Sequence, residues 1–270
     1  MIPSPFEYVS AGSADEAVEL LRRYGDDAKL LAGGHSLLAM MKVRLAVPAV
    51  LVDIGAVDEL AGIAVDGDDL VIGATTRHAD VAGSDLVKTE APLLAWSAAQ
   101  VGDPQIRHRG TIGGSLAHSD PAADLPMALT ALGGSMEITG PGGTRTVGAD
   151  DFFVGYFETA MEPDELLTAV RIPRRPGQPW GYQKFTRRAN DWAIVGVAAV
   201  GGRVALANMG AKPLRALAVE EALASGASVR DAAARAAEGT EPGEDIHADR
   251  EYRQHLARVL TERALEHQTG

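Results

Sequence analysis

Two glycine pairs constrain this chain more than any other feature. Gly33-Gly34 stands in Ala32-Gly33-Gly34-His35-Ser36-Leu37, and Gly113-Gly114 in Thr111-Ile112-Gly113-Gly114-Ser115. The first pair follows a short apolar run at 29–32 and precedes a periodic apolar stretch at 37–44. Successive glycines let the backbone take positive φ and turn several N–H groups toward one point. Such a nest binds an anion without lysine or arginine. A helix starting at Leu37 adds its free N–H groups and its dipole to the same spot. Ser36, Thr111 and Ser115 supply hydroxyls beside the glycines. Two such loops suit a diphosphate better than a single phosphate, held mainly by the backbone of both. The plainer alternative, two ordinary turns in a chain with 30 glycines among 270 residues, stays open on the residues alone.

Around these loops the patterning predicts three parts. Strands at 6–9, 29–32 and 50–54 alternate with helices at 16–24, N-capped by Asp15 and closed by Gly25, and at 37–44. This is a β-α-β-α-β unit over 1–55. From 56 to 160 the pattern predicts a strand at 70–74 after the turn 66–69 and helices at 79–84, 91–101 and 122–132. A tight loop follows at 110–114, and a hairpin at 135–148 turns on Gly140-Pro141-Gly142-Gly143. From 161 to 270 it predicts strands at 166–172, 182–186, 193–200 and 203–209, with a loop at 174–179. Helices follow at 214–224, 229–237 and 250–267.

Composition narrows the function. The chain has no cysteine, which excludes thiolate metal sites, iron–sulfur ligation and cysteine nucleophiles within it. Acidic residues outnumber basic ones 37 to 25, a net charge of −12 that disfavours nucleic acid or anionic membrane as main partner. The longest apolar runs are too short to span a bilayer, and the first residues carry no secretory signal, so a cytoplasmic location is expected. No GxGxxG, GxxxxGK[ST], HExxH or GxSxG pattern occurs, and the seven histidines show no metal-ligand spacing. No metal site and no catalytic acid or base is expected.

The two glycine words, extended to Ala32-Gly33-Gly34-His35-Ser36-Leu37-Leu38 and Thr111-Ile112-Gly113-Gly114-Ser115-Leu116-Ala117, resemble the paired pyrophosphate-binding motifs of the FAD-carrying medium subunits of molybdenum hydroxylases. This is the xanthine dehydrogenase class, and within it the aerobic carbon monoxide dehydrogenases are most similar. Met40-Met41-Lys42-Val43-Arg44-Leu45-Ala46, Asp120-Pro121-Ala122-Ala123-Asp124-Leu125-Pro126 and 184–193 extend the resemblance along the whole chain, in order.

The resemblance implies an α+β fold. Two subdomains (1–55 and 56–160) form an FAD-binding domain of the PCMH type, and a C-terminal domain (161–270) of antiparallel sheet plus helices follows. It places Lys29, Leu31, Ala32, Gly33, Gly34, His35, Ser36 and Leu37 at the pyrophosphate and adjoining ribose. Thr111, Gly113, Gly114 and Ser115 complete the cradle, and Asp124 hydrogen-bonds the FAD. Leu167 and Lys184 lie beside the isoalloxazine, where a cation would favour the reduced ring. Trp192 either stacks on the ring or fills core. Asp120 reads as an N-cap or as one of a carboxylate pair with Asp124.

It further implies a molybdenum cofactor on a large subunit and two [2Fe–2S] clusters on a small subunit, in a dimer of heterotrimers. Electrons would pass through FAD to a quinone or NAD, and any membrane association would be peripheral and made through the complex. Met40-Met41 with Arg44, together with 106–109, is expected to face the iron–sulfur subunit, the alternative for the methionines being helix core. Competing readings are the same subunit serving an aldehyde, purine or N-heterocycle, a stand-alone FAD oxidoreductase, and a regulatory nucleotide-binding module.

Overall fold

The structure, a computed structural model, describes residues 2–268. Residues 2–55 contain a three-stranded parallel sheet in the order Glu7–Ser10, Val50–Asp53, Ala28–Leu31. Helix Ala14–Tyr24 crosses over between the first two strands in sequence and buries Ala17, Val18, Leu20 and Leu21, the positions its 3.6-residue period selects. Ser13, not Asp15, caps it, its hydroxyl accepting from the Glu16 N–H at 3.1 Å. Asp15 instead sits in the first turn, where a negative charge meets the helix dipole. Gly25 closes the helix at φ 53°.

A five-stranded antiparallel sheet follows, ordered Ile63–Asp66, Asp69–Gly73, Leu166–Pro173, Ser135–Gly140, Gly143–Gly148. The strand at 166–173, expected to open the C-terminal part, is its central strand, bonded to Asp69–Gly73 on one side and Ser135–Gly140 on the other. The break toward the last domain thus falls in the loop 174–179 rather than at 160. Local pattern shows that a strand exists; pairing across some 100 residues of chain decides which sheet owns it.

The last domain is a four-stranded antiparallel sheet, Trp180–Phe185, Val195–Val200, Arg203–Ala207, Leu214–Arg215, backed by helices Leu217–Ala224 and Arg250–Glu266. The helix expected from 214 starts only at Leu217, because Leu214 and Arg215 pair with Leu206 and Ala205 as an edge strand. The helix expected over 229–237 ends at Ala233. Val195–Val200 is buried at every position. Val195, Val197 and Ala199 face the C-terminal helices, and Ala198 and Val200 join the core of the five-stranded sheet. Helix Asp124–Leu132, buried at all nine positions, fills the space between the two sheets. A helix apolar all round needs such a place. Its first residue is the acidic Asp124, which sets up the site.

Candidate functional site

A cleft of about 620 Å³ opens between the subdomains, a volume in the range of cofactor sites. Lys29, Ala32, Gly33, Gly34, His35, Ser36 and Leu37 line one wall, and Thr111, Gly113, Gly114 and Ser115 the other. Asp124, Leu167 and Trp192 line its far part. The structure therefore brings together all the sequence-derived candidates except two. Leu31 lies behind the first loop, its methyl carbon 3.3 Å from where a Gly34 Cβ would sit, and Lys184 stands behind Asp124. Lys29 is the only lysine or arginine among the described lining residues. An anion bound here must be held largely by dipoles.

The first loop can do this. Gly34 adopts φ 76°, and a Cβ there would fall 2.9 Å from the Leu38 side chain. Gly33 presses against the second loop so closely that a Cβ would meet the Arg109 carbonyl oxygen at 2.4 Å. None of the N–H groups of residues 33–36 donates to another group among the described residues, while the Leu38 N–H already turns back to the Gly34 carbonyl at 3.0 Å. Four consecutive free donors at a helix start form the nest that the glycine pair suggests.

The second loop does not repeat it. The sequence reads 110–114 as a tight loop, but helix Ile112–His118 begins within it, with Thr111 as N-cap. Ile112 N–H donates to the Thr76 carbonyl at 3.0 Å, Gly113 N–H to the Ala74 carbonyl at 2.8 Å, Gly114 N–H to Thr111 Oγ1 at 3.1 Å, and Ser115 N–H to the Thr111 carbonyl at 3.0 Å. These donors are spent inside the chain. Gly113 is glycine because a Cβ would strike Ala74 Cβ at 2.5 Å, not because the backbone needs positive φ. Gly114 likewise leaves room for Thr111 Oγ1, which a Cβ would meet at 2.7 Å. The second loop thus offers a close wall and the Ser115 hydroxyl rather than a second nest.

At the far part, Asp124 is 4% exposed and accepts hydrogen bonds from the Tyr182 hydroxyl and, at 2.9 Å, from the Lys184 ammonium. Lys184 also donates to the Gln100 carbonyl at 3.3 Å. Burial raises the Asp124 carboxyl, opposed by Lys184 and by the Tyr182 hydrogen bond. Lys184 is accordingly no surface cation; its charge is already neutralised by Asp124. Asp120 caps no helix: its Oδ1 accepts from the Ala122 N–H at 2.9 Å in a local turn, and Asp124 pairs with Lys184 instead of with it. Trp192 lies in the loop between Phe185 and Val195, 55% exposed at the cleft, so it is not core.

Other lining residues carried no local signal. His78 starts helix His78–Gly83 and is 4% exposed, its Nδ1 without a partner among the described residues. Burial, then His35, Arg107 and Arg77, push its imidazole down to about 4, so it is neutral at physiological pH. Phe157, Glu162 and Glu165 arrive from the segment before the strand Leu166–Pro173. Glu165 is fixed there by Arg145, which reaches it with two nitrogens at 2.8 and 2.7 Å. Only the three-dimensional pairing of distant strands brings this segment to the cleft.

The expected contact stretch is also revised. Met41 is 2% exposed in the core and Met40 lines the cleft, so the methionines do not form a surface pair. Arg107 is committed to the Val101 and Gly102 carbonyls at 3.0 and 2.9 Å. The stretch exposes Lys42, Val43, Arg44 and Leu45, with Val43 at 59% and Leu45 at 79%. Among the described residues no group of three or more histidine, cysteine or carboxylate side chains could hold a metal ion.

Residues 4–175 match the family described as the FAD binding domain in molybdopterin dehydrogenase, and residues 180–268 the CO dehydrogenase flavoprotein C-terminal domain. The carbon monoxide dehydrogenase medium chain of Hydrogenophaga pseudoflava is 42% identical over 98% of this chain and 97% of its own. The 6-hydroxypseudooxynicotine dehydrogenase complex subunit alpha of Paenarthrobacter nicotinovorans is 36% identical over 98% of this chain and 95% of its own. The solved carbon monoxide dehydrogenase from Hydrogenophaga pseudoflava that lacks the Mo-pyranopterin moiety of the molybdenum cofactor superposes with a TM-score of 0.95, at 44% identity, covering 98% of both chains. With an unspent N–H nest suited to a diphosphate and family matches on both sides of the loop 174–179, the chain belongs to the FAD-binding medium subunits of the molybdopterin dehydrogenases.

Proposed function

We propose that this chain is the electron exit of a carbon monoxide dehydrogenase-type complex. The observation that carries the reading is the free N–H nest of residues 33–36, in a chain whose likeness to the medium chains runs end to end. When bound, FAD supplies a redox centre that takes up electrons one at a time and gives up two. The chain's own residues do the rest. The N–H groups of 33–36 hold the diphosphate, with Ser36 and Ser115 hydroxyls beside them and Lys29 as the nearest cation. Thr111 holds the second loop in place by capping its helix. Asp124, which lines the cleft, would accept a hydrogen bond from the FAD. Lys184 and Tyr182 hold that carboxylate charged and fixed, so Lys184 acts through Asp124. Leu167 and Trp192 cover the ring and exclude water. No residue of this chain is asked to move a proton to or from the substrate oxidised elsewhere.

The partners this reading requires are a small subunit that would carry two [2Fe–2S] clusters and a large subunit that would carry a molybdenum cofactor, with a quinone or NAD as external acceptor. The complete lack of cysteine here leaves the clusters to another chain. Carbon monoxide is the substrate the relatives favour; an aldehyde, purine or N-heterocycle would serve the same subunit, since substrate binds elsewhere. We place the complex in the cytoplasm as a dimer of heterotrimers. No helix among the described residues is long and apolar enough to cross a membrane.

The test is to purify a tagged copy from its native cells and assay FAD, iron and molybdenum. Co-purification of an iron–sulfur chain and a molybdenum chain supports the relay. A chain that carries FAD alone and oxidises a substrate unaided would favour the stand-alone oxidoreductase.

A further inference from the structure

The far part of the cleft has two walls from different domains, and one residue bonds to both. Asn208 lies just past the strand Arg203–Ala207, in the left-handed region at φ 60°, which asparagine tolerates better than most residues. Its backbone N–H donates to the Pro121 carbonyl at 2.7 Å, within the segment that carries the lining residues Asp120 and Asp124. Its side-chain amide donates to the Ala193 carbonyl at 2.8 Å and the Ile194 carbonyl at 3.2 Å. Those two residues end the loop that carries Trp192. The Ile194 carbonyl also accepts from the buried Arg253 at 2.5 Å, and Arg253 is held in turn by Asp245 at 2.7 Å.

Little else restrains that loop. Ile194 N–H closes its base on the Phe185 carbonyl at 2.8 Å. Among the described residues, the other backbone hydrogen bond of the loop, Asp191 N–H to the Arg188 carbonyl, stays inside it. A glycine at 208 would take the same φ without strain. The asparagine adds an amide aimed at two carbonyls of the opposite wall.

We propose that Asn208 is a positioning residue whose side-chain amide clamps the Trp192 loop against the wall that begins helix Asp124–Leu132, and thereby sets how tightly the cleft holds FAD. This rests on the reading of Trp192 as a cover for the cofactor.

Asn208→Gly tests it, because it keeps the backbone conformation and the N–H to Pro121 and deletes only the amide. In the FAD-loaded full chain, hydrogen exchange over 186–194 should speed up about tenfold, with Val195–Val200 unchanged, as expected for losing local hydrogen bonds. The FAD dissociation constant, read by flavin fluorescence titration, should rise by about the same factor. Trp192→Phe should also weaken binding, and the double variant should bind no worse than Trp192→Phe alone, since the clamp acts through Trp192. Unchanged exchange over 186–194 would overturn the clamp. Faster exchange with unchanged FAD affinity, or additive losses in the double variant, would overturn its link to the cofactor. Failure of the cofactor reading is a separate result: Trp192→Phe would then bind FAD as tightly as the parent, while exchange over 186–194 would still speed up in Asn208→Gly.

Discussion

Lys184 and Asp124 form an ion pair at 2.9 Å, with side chains 8% and 4% exposed, between the edge strand of the last domain and the first turn of a helix buried on every side. A carboxylate at that position would be costly alone. The ammonium from the neighbouring domain and the Tyr182 hydroxyl make it tolerable, so the pair joins two domains at the wall of the cleft.

Lys184→Met leaves Asp124 buried without its cation, and breaking such a pair costs about 3 kcal/mol. Lys184 lowers the Asp124 carboxyl, which burial already raises, so the substitution raises it further. A carboxyl raised in the folded state favours folding at low pH and loses that advantage as pH rises through its folded value. The variant's deficit should therefore be full at neutral pH and shrink as pH falls and Asp124 takes a proton. Urea denaturation at a series of pH values reads this directly, and Lys184→Met/Asp124→Asn should recover most of the loss at neutral pH.

His78 titrates the other way. Its folded value near 4 lies below the usual 6.5, so the stability linked to its neutral form is complete above pH 6.5 and is lost as pH falls toward 4. The groups around it, Arg77, Arg107 and His35, all oppose its protonation. His78→Gln cannot charge. The drop in urea midpoint between pH 6.5 and 4 should be smaller in the variant than in the parent, and an equal drop would remove His78 from the account.

We propose that the stretch after the first loop faces the iron–sulfur partner through its exposed apolar residues Val43 and Leu45 rather than through the methionines. Both are largely exposed, so Val43→Asp/Leu45→Asp should change folding stability by less than about 1 kcal/mol. Pull-down with the tagged double variant should recover FAD but markedly less iron. Undiminished iron would place the interface elsewhere.

Much of the frame was legible because caps and turns act locally. Gly25 at the end of the first helix, the hairpin at 135–148 and Gly34 at the nest each follow from what one residue allows its own backbone. What escaped depends on distant contacts. The strand at 166–173 is periodic in isolation, but its partners lie far away in sequence. Gly113 looks like Gly34 in the sequence, yet its reason is the approach of Ala74. Lys184 and Asp124 are separated by 60 residues, and only the fold shows that one neutralises the other. The resemblance located the loops of the site; it did not show that one nest is free and the other spent.

The central claim is that the free N–H groups of residues 33–36 hold the FAD diphosphate. Its most direct test is FAD titration of Gly34→Val, with circular dichroism confirming that the chain is folded. A β-branched side chain resists φ 76° and would crowd Leu38, which must disturb the nest. The account predicts a parent that binds one FAD and a folded variant that retains none; a folded Gly34→Val chain that keeps stoichiometric FAD would contradict it.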